Sequence, residues 1–193
     1  EIASCLVGSE MCIRDSSYYD NEKHTQADAL SVIPFMDEMN YEGLSVSGLS
    51  DGYYGLTIGG EFIGRFTARE LERGINMALL QNTPQYKQAM KIRQMNEERW
   101  LKERKMREFY WVEYNLMRKT GMLWACNEAA VDTLRKYRPH DIFLQWNGDL
   151  RLQYMHKGIR EDCVNEQQDL VNQIYEQNKP IPLRIEIKKF TDL

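Results

Sequence analysis

The sequence predicts an α+β fold in which a small antiparallel β-sheet packs with long antiparallel helices. Three observations predict this fold. Alternating apolar residues flank the pair Gly59-Gly60, as is typical of a β-hairpin, and a second alternating run at 183–187 predicts a last strand. Between them, the 84–120 segment contains no glycine and no proline after Pro84, and its apolar residues recur at helical spacing.

The hairpin is predicted over residues 44–66. Three apolar residues alternate along 54–58, and Gly59-Gly60 can adopt the positive φ angles of a tight turn before the second strand returns. Turn residues at Ser50-Asp51-Gly52 separate the hairpin from an earlier alternating run that begins at 44–46. The C-terminal strand at 183–187 is expected to join the same sheet.

A short helix is predicted at 68–73, directly after the hairpin. Thr67 and Glu70 have the spacing of a capping box, in which each side chain bonds the backbone N–H of the other residue. Phe66 and Leu71 occupy the two positions of a hydrophobic staple. The sequence therefore predicts how this helix begins, and not only that it exists.

The long helix is predicted over 84–120, with the Thr83 hydroxyl as its N-cap and Pro84 at its first position. Its middle is rich in both charges, which predicts a solvated face with i,i+4 ion pairs such as Glu98–Lys102 and Glu103–Arg107.

Two further helices are predicted, at 127–137 and at 148–177, and the second is expected to return antiparallel to the long helix. The intervening 141–147 segment is predicted to be irregular. Ser31–Phe35 is predicted to form an edge strand, because Pro34 has no N–H to donate within a sheet.

Composition excludes several classes of protein. The chain has 193 residues, of which 42% are hydrophobic and 28% are charged, and its net charge is −4. That balance lacks the basic excess of a nucleic-acid-binding protein. No apolar run approaches the roughly 20 residues that a membrane-spanning helix needs.

The first residues are interpreted as foreign to the protein. Residues 6–16, LVGSEMCIRDS, can be back-translated into a transposase-based sequencing adaptor read in frame. We therefore predict that residues 1–16 are an adaptor-derived artefact, which leaves a net charge of −2 for the remainder. Residues 17–30 are polar and unpatterned and are interpreted as the remnant of a linker, and 31–193 as an accessory domain.

Residues 54–76 also carry a family signature. The string Y-x-L-T-I-x-G-x-x-I-G-x-F-T-A-x-E-L-x-x-G-I-N resembles the C-terminal part of bacterial SGNH (GDSL-type) esterases. Further matches are Thr83–Tyr86, Trp111–Tyr114 and the closing segment from Ile174 to Ile187. The resemblance covers roughly residues 31–193.

The resemblance implies a serine ester hydrolase whose catalytic domain precedes this segment, and it suggests acyl groups of carbohydrates as a substrate. That domain would carry a Gly-Asp-Ser nucleophile motif, oxyanion-hole Gly and Asn residues and an Asp-x-x-His motif, none of which is found here. The chain is therefore predicted to be a non-catalytic C-terminal fragment with the missing domain as its partner. A secreted or periplasmic location would suit such a parent, but the sequence leaves the compartment open.

Two strings imitate serine-hydrolase motifs. Gly48-Leu49-Ser50-Asp51-Gly52 spells the G-x-S-x-G nucleophile elbow, but it falls between two short strands with no helix after it. Asn147-Gly148-Asp149-Leu150 is similar to Gly-Asp-Ser-Leu but has no serine, so it has no hydroxyl to acylate. The first is interpreted as a hairpin turn and the second as a turn with a helix cap.

The remaining candidates for chemistry are histidines and cysteines. His24 follows Asp20 at four residues instead of three, so it fits the family's Asp-x-x-His poorly, and neither His140 nor His156 has a second ligand at metal spacing. Cys126 and Cys163 are expected to be free thiols, although a disulfide stays open. We predict no catalytic, cofactor-binding or metal-binding residue, and no cofactor.

Aromatic residues leave two interpretations open. Tyr110, Trp111 and Tyr114 share adjoining faces of the long helix, while Trp124 and Trp146 lie elsewhere in the sequence. They are expected to anchor the helix to the sheet and to the absent domain, and a sugar-stacking platform is the alternative. The corresponding alternative function is a stand-alone adaptor or carbohydrate-contacting module. A coiled-coil homodimer is disfavoured, since no strict heptad is sustained.

Overall fold

A computed structural model describes residues 32–190 of the chain. Its mixture of helices and small antiparallel sheets confirms the predicted α+β class. The interpretations of residues 1–16 and 17–30, and the assignment of His24, concern residues outside this range and stay predictions.

The helices and strands follow one another in an order that starts with short elements and ends with long helices and one strand. They are α1 (Phe35–Glu38), β1 (Gly43–Leu44), β2 (Tyr53–Ile58), β3 (Glu61–Thr67), α2 (Ala68–Arg73), β4 (Ile75–Asn76), a 3-10 turn (Met77–Leu79), α3 (Pro84–Val112), a π-helical turn (Glu113–Met117), α4 (Glu128–Tyr137), a 3-10 turn (Arg138–His140), α5 (Ile142–Gln153), α6 (Lys157–Gln177) and β5 (Ile185–Lys189).

The chain divides into two units, which are described separately. Of the described residues, 32–93 and 177–190 form the sheet unit and Gln94–Glu176 form the helical unit. No helix in the part of the chain that the structure describes combines the length and the apolar character that crossing a membrane requires.

The sheet unit contains a three-stranded antiparallel sheet with the order β3-β2-β5. Gly59 and Gly60 form the hairpin turn with φ angles of 58° and 87°, which an L-residue with a Cβ adopts only with strain. The last strand pairs with β2 so that Leu56 faces Ile187. The inner face buries a cluster of four apolar residues: Leu56, Ile58, Ile63 and Met77.

The capping box predicted for α2 is present. The Glu70 N–H donates to the Thr67 hydroxyl at 3.1 Å, and the Thr67 N–H donates to a Glu70 carboxylate oxygen at 2.7 Å. Phe66 and Leu71 belong to one apolar cluster, as a hydrophobic staple requires. β1 does not join the hairpin and instead pairs with β4 in a second, two-stranded sheet.

In the helical unit, the C-terminal half of α3 and the N-terminal half of α6 run antiparallel. The Lys102 ammonium lies 2.7 Å from the Glu166 carboxylate, and this hydrogen bond raises the pKa of Lys102. Further along, Met106 and Phe109 share a buried cluster with Cys163. The main core of this unit consists of five buried residues from four elements: Val112, Leu116, Met117, Leu134 and Leu144.

Four of the predicted elements differ from the structure. The edge strand at Ser31–Phe35 is absent over its described residues, because Pro34 instead precedes the single helical turn α1. Residues 141–147 are not irregular: the Asp141 carboxylate accepts the N–H groups of Phe143 and Leu144, at 2.8 and 3.2 Å, and so starts α5.

The helix predicted at 148–177 is two helices, with a break at residues 154–156. There the Arg160 guanidinium donates to the carbonyls of Tyr154 and Met155, at 2.8 and 2.6 Å. Those carbonyls are therefore satisfied by a side chain, so the backbone can leave the helix without a glycine or a proline. The long helix also ends earlier than predicted, because it passes into the π-helical turn at Glu113.

Candidate functional site

Ser50 is the residue closest to a serine-hydrolase motif, and its surroundings do not activate it. The Lys189 ammonium donates to the Ser50 hydroxyl at 2.8 Å, and the Tyr54 hydroxyl lies 3.2 Å from the same oxygen. An ammonium group has no lone pair with which to accept the serine proton. The strand β2 follows this segment in the chain, whereas a nucleophile elbow needs a helix directly after the serine. These contacts tie the turn to the sheet.

The segment Asn147–Leu150 lies in the middle of α5 and is not the predicted turn and cap. Its Asp149 forms a bidentate pair with Arg138, with both N–O distances at 2.7 Å. Those hydrogen bonds hold the pKa of Asp149 below its usual range. The acid therefore connects α5 to the preceding 3-10 turn and is not available as a general base.

The two described histidines lie at different places in the helical unit, whereas Ser50 belongs to the sheet unit. His140 ends the 3-10 turn and lines a cavity of about 380 Å³ with Asp141 and Thr120. His156 lies in the break before α6 and not within a helix, contrary to the prediction. Among the described residues no group of three or more His, Cys, Asp or Glu could hold a metal ion.

Both described cysteines are free thiols, as expected from the sequence. Cys163 is buried in the cluster with Met106 and Phe109, and Cys126 is exposed.

The helical unit contains a buried ion pair that the sequence did not indicate. The Glu113 and Arg151 side chains are 0% and 1% exposed, and Arg151 Nε donates to Glu113 Oε1 at 3.1 Å. The second oxygen of Glu113 accepts the backbone N–H of Trp124 at 2.8 Å, and Arg151 also donates to the carbonyl of Ala125. Two buried charges thus hold the backbone that precedes α4.

Trp124 is strained at this point. Its φ angle of 61° is the only positive value that a residue other than glycine adopts in the described part of the chain. A left-handed backbone costs a residue with a Cβ roughly 1–2 kcal/mol. The hydrogen bond from its N–H to buried Glu113 helps to hold this conformation. Residues 113–117 form a π-helical turn, a departure from the α-helix that recurs at functional sites.

The strained residue completes an aromatic cluster. The Trp124 ring stacks on Phe109 with centroids 6.3 Å apart, and it meets Tyr110 and Tyr114 edge to face at 5.9 and 5.8 Å. The Arg160 guanidinium lies 4.9 Å from the Phe109 centroid and 5.8 Å from that of Trp124. Trp111 and Trp146 are not part of this cluster, and both contact Phe143 instead.

An open groove of about 500 Å³ lies beside this cluster. Its aromatic and apolar lining comes from Tyr110, Trp124 and Val164. Four polar side chains complete the lining: Lys157, Arg160, Glu161 and Asn165. Trp124 remains 41% exposed and Tyr110 38% exposed, so parts of both side chains are accessible from solvent. Lys157 pairs with Glu161 at 3.2 Å, whereas Arg160 has no carboxylate partner among the described residues. This groove, which we call the Trp124 groove, is the candidate site.

Comparisons with known proteins bear on the same region. Residues 90–179 match a protein-family model described as the diltiazem deacetylase C-terminal helical domain. This segment is similar to that domain. It includes the whole helical unit and therefore the Trp124 groove.

A solved structure of BT4096, a gut microbial diltiazem-metabolizing enzyme, is similar to the chain with a TM-score of 0.76 and 37% sequence identity. The alignment covers 86% of this chain and 37% of that one, so the chain spans little more than a third of that enzyme's length. No curated protein matches the chain. The predicted similarity to the C-terminal part of an esterase is confirmed in this coarser form.

Sequence reasoning missed the Trp124 groove for a physical reason. The aromatic residues of α3 were recognised, but Trp124 was placed apart from them, because the left-handed backbone that brings its ring to Tyr110 and Tyr114 has no signature in a tryptophan. Arg160 was absent from the candidates, since an arginine in a charged helix is most often solvated. A cue did exist in the spacing of Phe109, Tyr110 and Tyr114, which places three rings on neighbouring helical positions.

Proposed function

We propose that this chain is the non-catalytic C-terminal region of an SGNH-type serine ester hydrolase of the deacetylating class. The observation that carries the proposal is the 37% identity to a diltiazem-metabolizing enzyme over 86% of this chain, together with the short share of that enzyme that the chain covers. The remainder of such an enzyme has room for a catalytic domain.

The chemistry of the described residues supports the same division of labour. Ester hydrolysis by a serine needs a hydroxyl whose proton passes to a neighbouring base, and donors that stabilise the oxyanion formed at the carbonyl. The Ser50 hydroxyl faces an ammonium donor, and Asp149 is held by Arg138. On this proposal the nucleophile, the histidine and the oxyanion donors belong to the catalytic domain, and this chain supplies a supporting wall.

A domain exchange tests the proposal. The region of the diltiazem-metabolizing enzyme that aligns with this chain is replaced by residues 32–193, and the hydrolysis of nitrophenyl acetate is measured for the chimera and for this chain alone. We expect turnover by the chimera and none above the buffer rate by the chain. A chimera that folds and lacks activity contradicts the accessory role.

Activity of the chain alone that Ser50→Ala abolishes would contradict the non-catalytic assignment. Ser47→Ala provides the matched control, since it removes a serine hydroxyl from the same turn region without touching Lys189 or Tyr54.

The stand-alone interaction module remains the second candidate, favoured by the exposed rings of the Trp124 groove. It predicts that the chain binds its ligand without any catalytic domain, and that the chimera does not hydrolyse nitrophenyl acetate. The same exchange therefore separates the two candidates.

A further inference from the structure

We propose that the Trp124 groove is a binding site for flat aromatic carboxylates. Three features meet there: a strained tryptophan, a guanidinium that has no carboxylate partner within residues 32–190, and an open groove of about 500 Å³. That volume lies within the range of about 300–1,000 Å³ that is usual for small-molecule sites. Nothing in the role proposed above requires such a site.

The strain at Trp124 indicates that its ring is needed where it lies. Glycine occupies the neighbouring left-handed position Gly121, with a φ angle of 73°, and glycine at 124 would relieve the same strain. The chain instead keeps a large ring there and holds the backbone with the buried Glu113 carboxylate. Strain that surrounding structure maintains in this way is concentrated at functional sites.

The rings determine the shape of the ligand. Trp124 and Tyr110 both line the groove and are 41% and 38% exposed, and they are fixed by edge-to-face contact with each other. A planar ring can stack or make edge contacts on such a surface at little cost in side-chain entropy, because the protein rings are already ordered. A flexible alkyl group would gain less from the same surface.

The polar groups determine its charge. Nη1 of Arg160 donates to the Tyr154 and Met155 carbonyls, whereas its Nε and Nη2 hydrogens have no acceptor among the described residues. Lys157 and Glu161 neutralise each other at the rim. The uncompensated charge of the groove is therefore positive, and a carboxylate is the group that a guanidinium binds best.

Binding is tested on the whole chain with 2-naphthoate as the probe. The chain has four tryptophans, so labelling with ¹⁵N-tryptophan gives one indole signal for each. We expect the Trp124 signal to shift most, and to saturate with a dissociation constant of about 1 mM or below. Trp146, which is 64% exposed and outside the groove, provides the internal control for non-specific contact.

The proposal is overturned if the Trp124 signal does not saturate by roughly 10 mM 2-naphthoate, or if it moves no more than that of Trp146. Because the measurement uses the unaltered chain, no failure of a variant to fold can affect it.

Variants identify the groups that bind. Trp124→Gly should weaken binding about fivefold or more, and Trp146→Gly should leave it unchanged. Trp124→Asn serves as a second ring deletion, since asparagine tolerates a left-handed backbone. Equal affinity of a folded ring deletion and the wild type would contradict the site.

A neutral probe separates charge from shape. We expect 2-naphthamide, which has the same rings, to bind the wild type about fivefold more weakly than 2-naphthoate. Arg160→Gln should remove that preference and leave the affinity for the amide within about twofold. An unchanged preference in this variant would exclude the guanidinium as the carboxylate partner.

The source of the ligand is distinguished in the chimera described above. If the ligand is part of the ester substrate or its product, Trp124→Gly should raise the KM for 6-acetoxy-2-naphthoate, which keeps its aromatic carboxylate when the acetyl group is hydrolysed, and leave that for ethyl acetate unchanged. If it is a separate aromatic acid, both KM values stay unchanged while binding of 2-naphthoate to the chain is still lost in the variant. Since binding is measured without catalysis, its failure is distinguishable from failure of the proposed esterase role.

Discussion

Glu113 and Arg151 place two opposite charges inside the helical unit, and each also binds the backbone of the segment that precedes α4. Glu113 accepts the N–H of Trp124, and Arg151 donates to the carbonyl of Ala125. Replacing one member of such a pair leaves the other charge buried without compensation, which costs more than the pair itself contributes.

We therefore predict that Arg151→Met lowers the free energy of unfolding by roughly 3–5 kcal/mol. Adding Glu113→Gln to that variant should recover about 1 kcal/mol or more, because the neutral amide can still accept the Trp124 N–H while no stranded carboxylate remains. Urea unfolding followed by circular dichroism measures both values. A double variant less stable than Arg151→Met would show that the stranded charge is not the cause.

Single residues also show where sequence reasoning reached its limit. The pairing of Glu113 with Arg151 joins positions 38 residues apart, and each is a single charged residue with apolar or aromatic neighbours in the sequence. Their burial depends on how helices pack, which no local spacing reports. The hairpin turn predicted at Gly48–Gly52 is wrong, because the strand before it, β1, pairs with β4 and not with β2, so these residues form a bent connection.

Among the helices and strands, the predictions that agree with the structure rest on local interactions. The hairpin turn depends on two adjacent glycines, and α2 depends on a capping box within four residues. The break between α5 and α6 was missed, because it contains no glycine or proline and depends on the Arg160 side chain. A sequence pattern indicates a helix break only where a residue such as glycine or proline imposes the break on the backbone.

The capping box of α2 also predicts a pH dependence. Hydrogen bonds from the Thr67 N–H and hydroxyl hold the pKa of Glu70 below its ordinary value of 4.5. A carboxyl whose pKa is lower in the folded chain stabilises the fold fully above its unfolded pKa, and this contribution is lost as the pH falls through the folded pKa.

Glu70→Gln should accordingly lower the urea midpoint at pH 7, and its difference from the wild type should shrink between about pH 5 and pH 3. Glu72→Gln is the matched control, since it removes a carboxylate from the same helix and leaves the capping box intact. A difference for Glu70→Gln that stays constant over this pH range would rule out the charged cap.

At the level of the whole molecule, the fold class was predictable and the candidate site was not. The alternation of apolar residues and the long helical pattern each extend over many residues. A prediction of fold class from them therefore stays correct when single elements are predicted wrongly. The Trp124 groove instead assembles side chains from α3, the segment before α4 and α6, through one unusual φ angle. A site of that kind becomes visible only once the elements are packed.

The helical unit carries an unusual amount of exposed apolar surface on one helix. Ile142, Phe143 and Trp146 of α5 are 52%, 49% and 64% exposed, and Phe143 contacts the rings of both Trp111 and Trp146. Large apolar side chains scattered singly over a surface are normal, but a contiguous group of them is not.

We predict that this group is the main binding surface for the dye ANS on the chain. Phe143→Ser together with Trp146→Lys should reduce ANS fluorescence at least about twofold, because the substitutions remove two contacting rings from one surface. Tyr175→Lys is the matched control: Tyr175 is 74% exposed in α6, and its ring has no aromatic contact among residues 32–190, so its loss should leave ANS fluorescence unchanged. Equal effects of the two replacements would mean that the dye responds to total exposed aromatic area, and that contiguity on α5 has no special role.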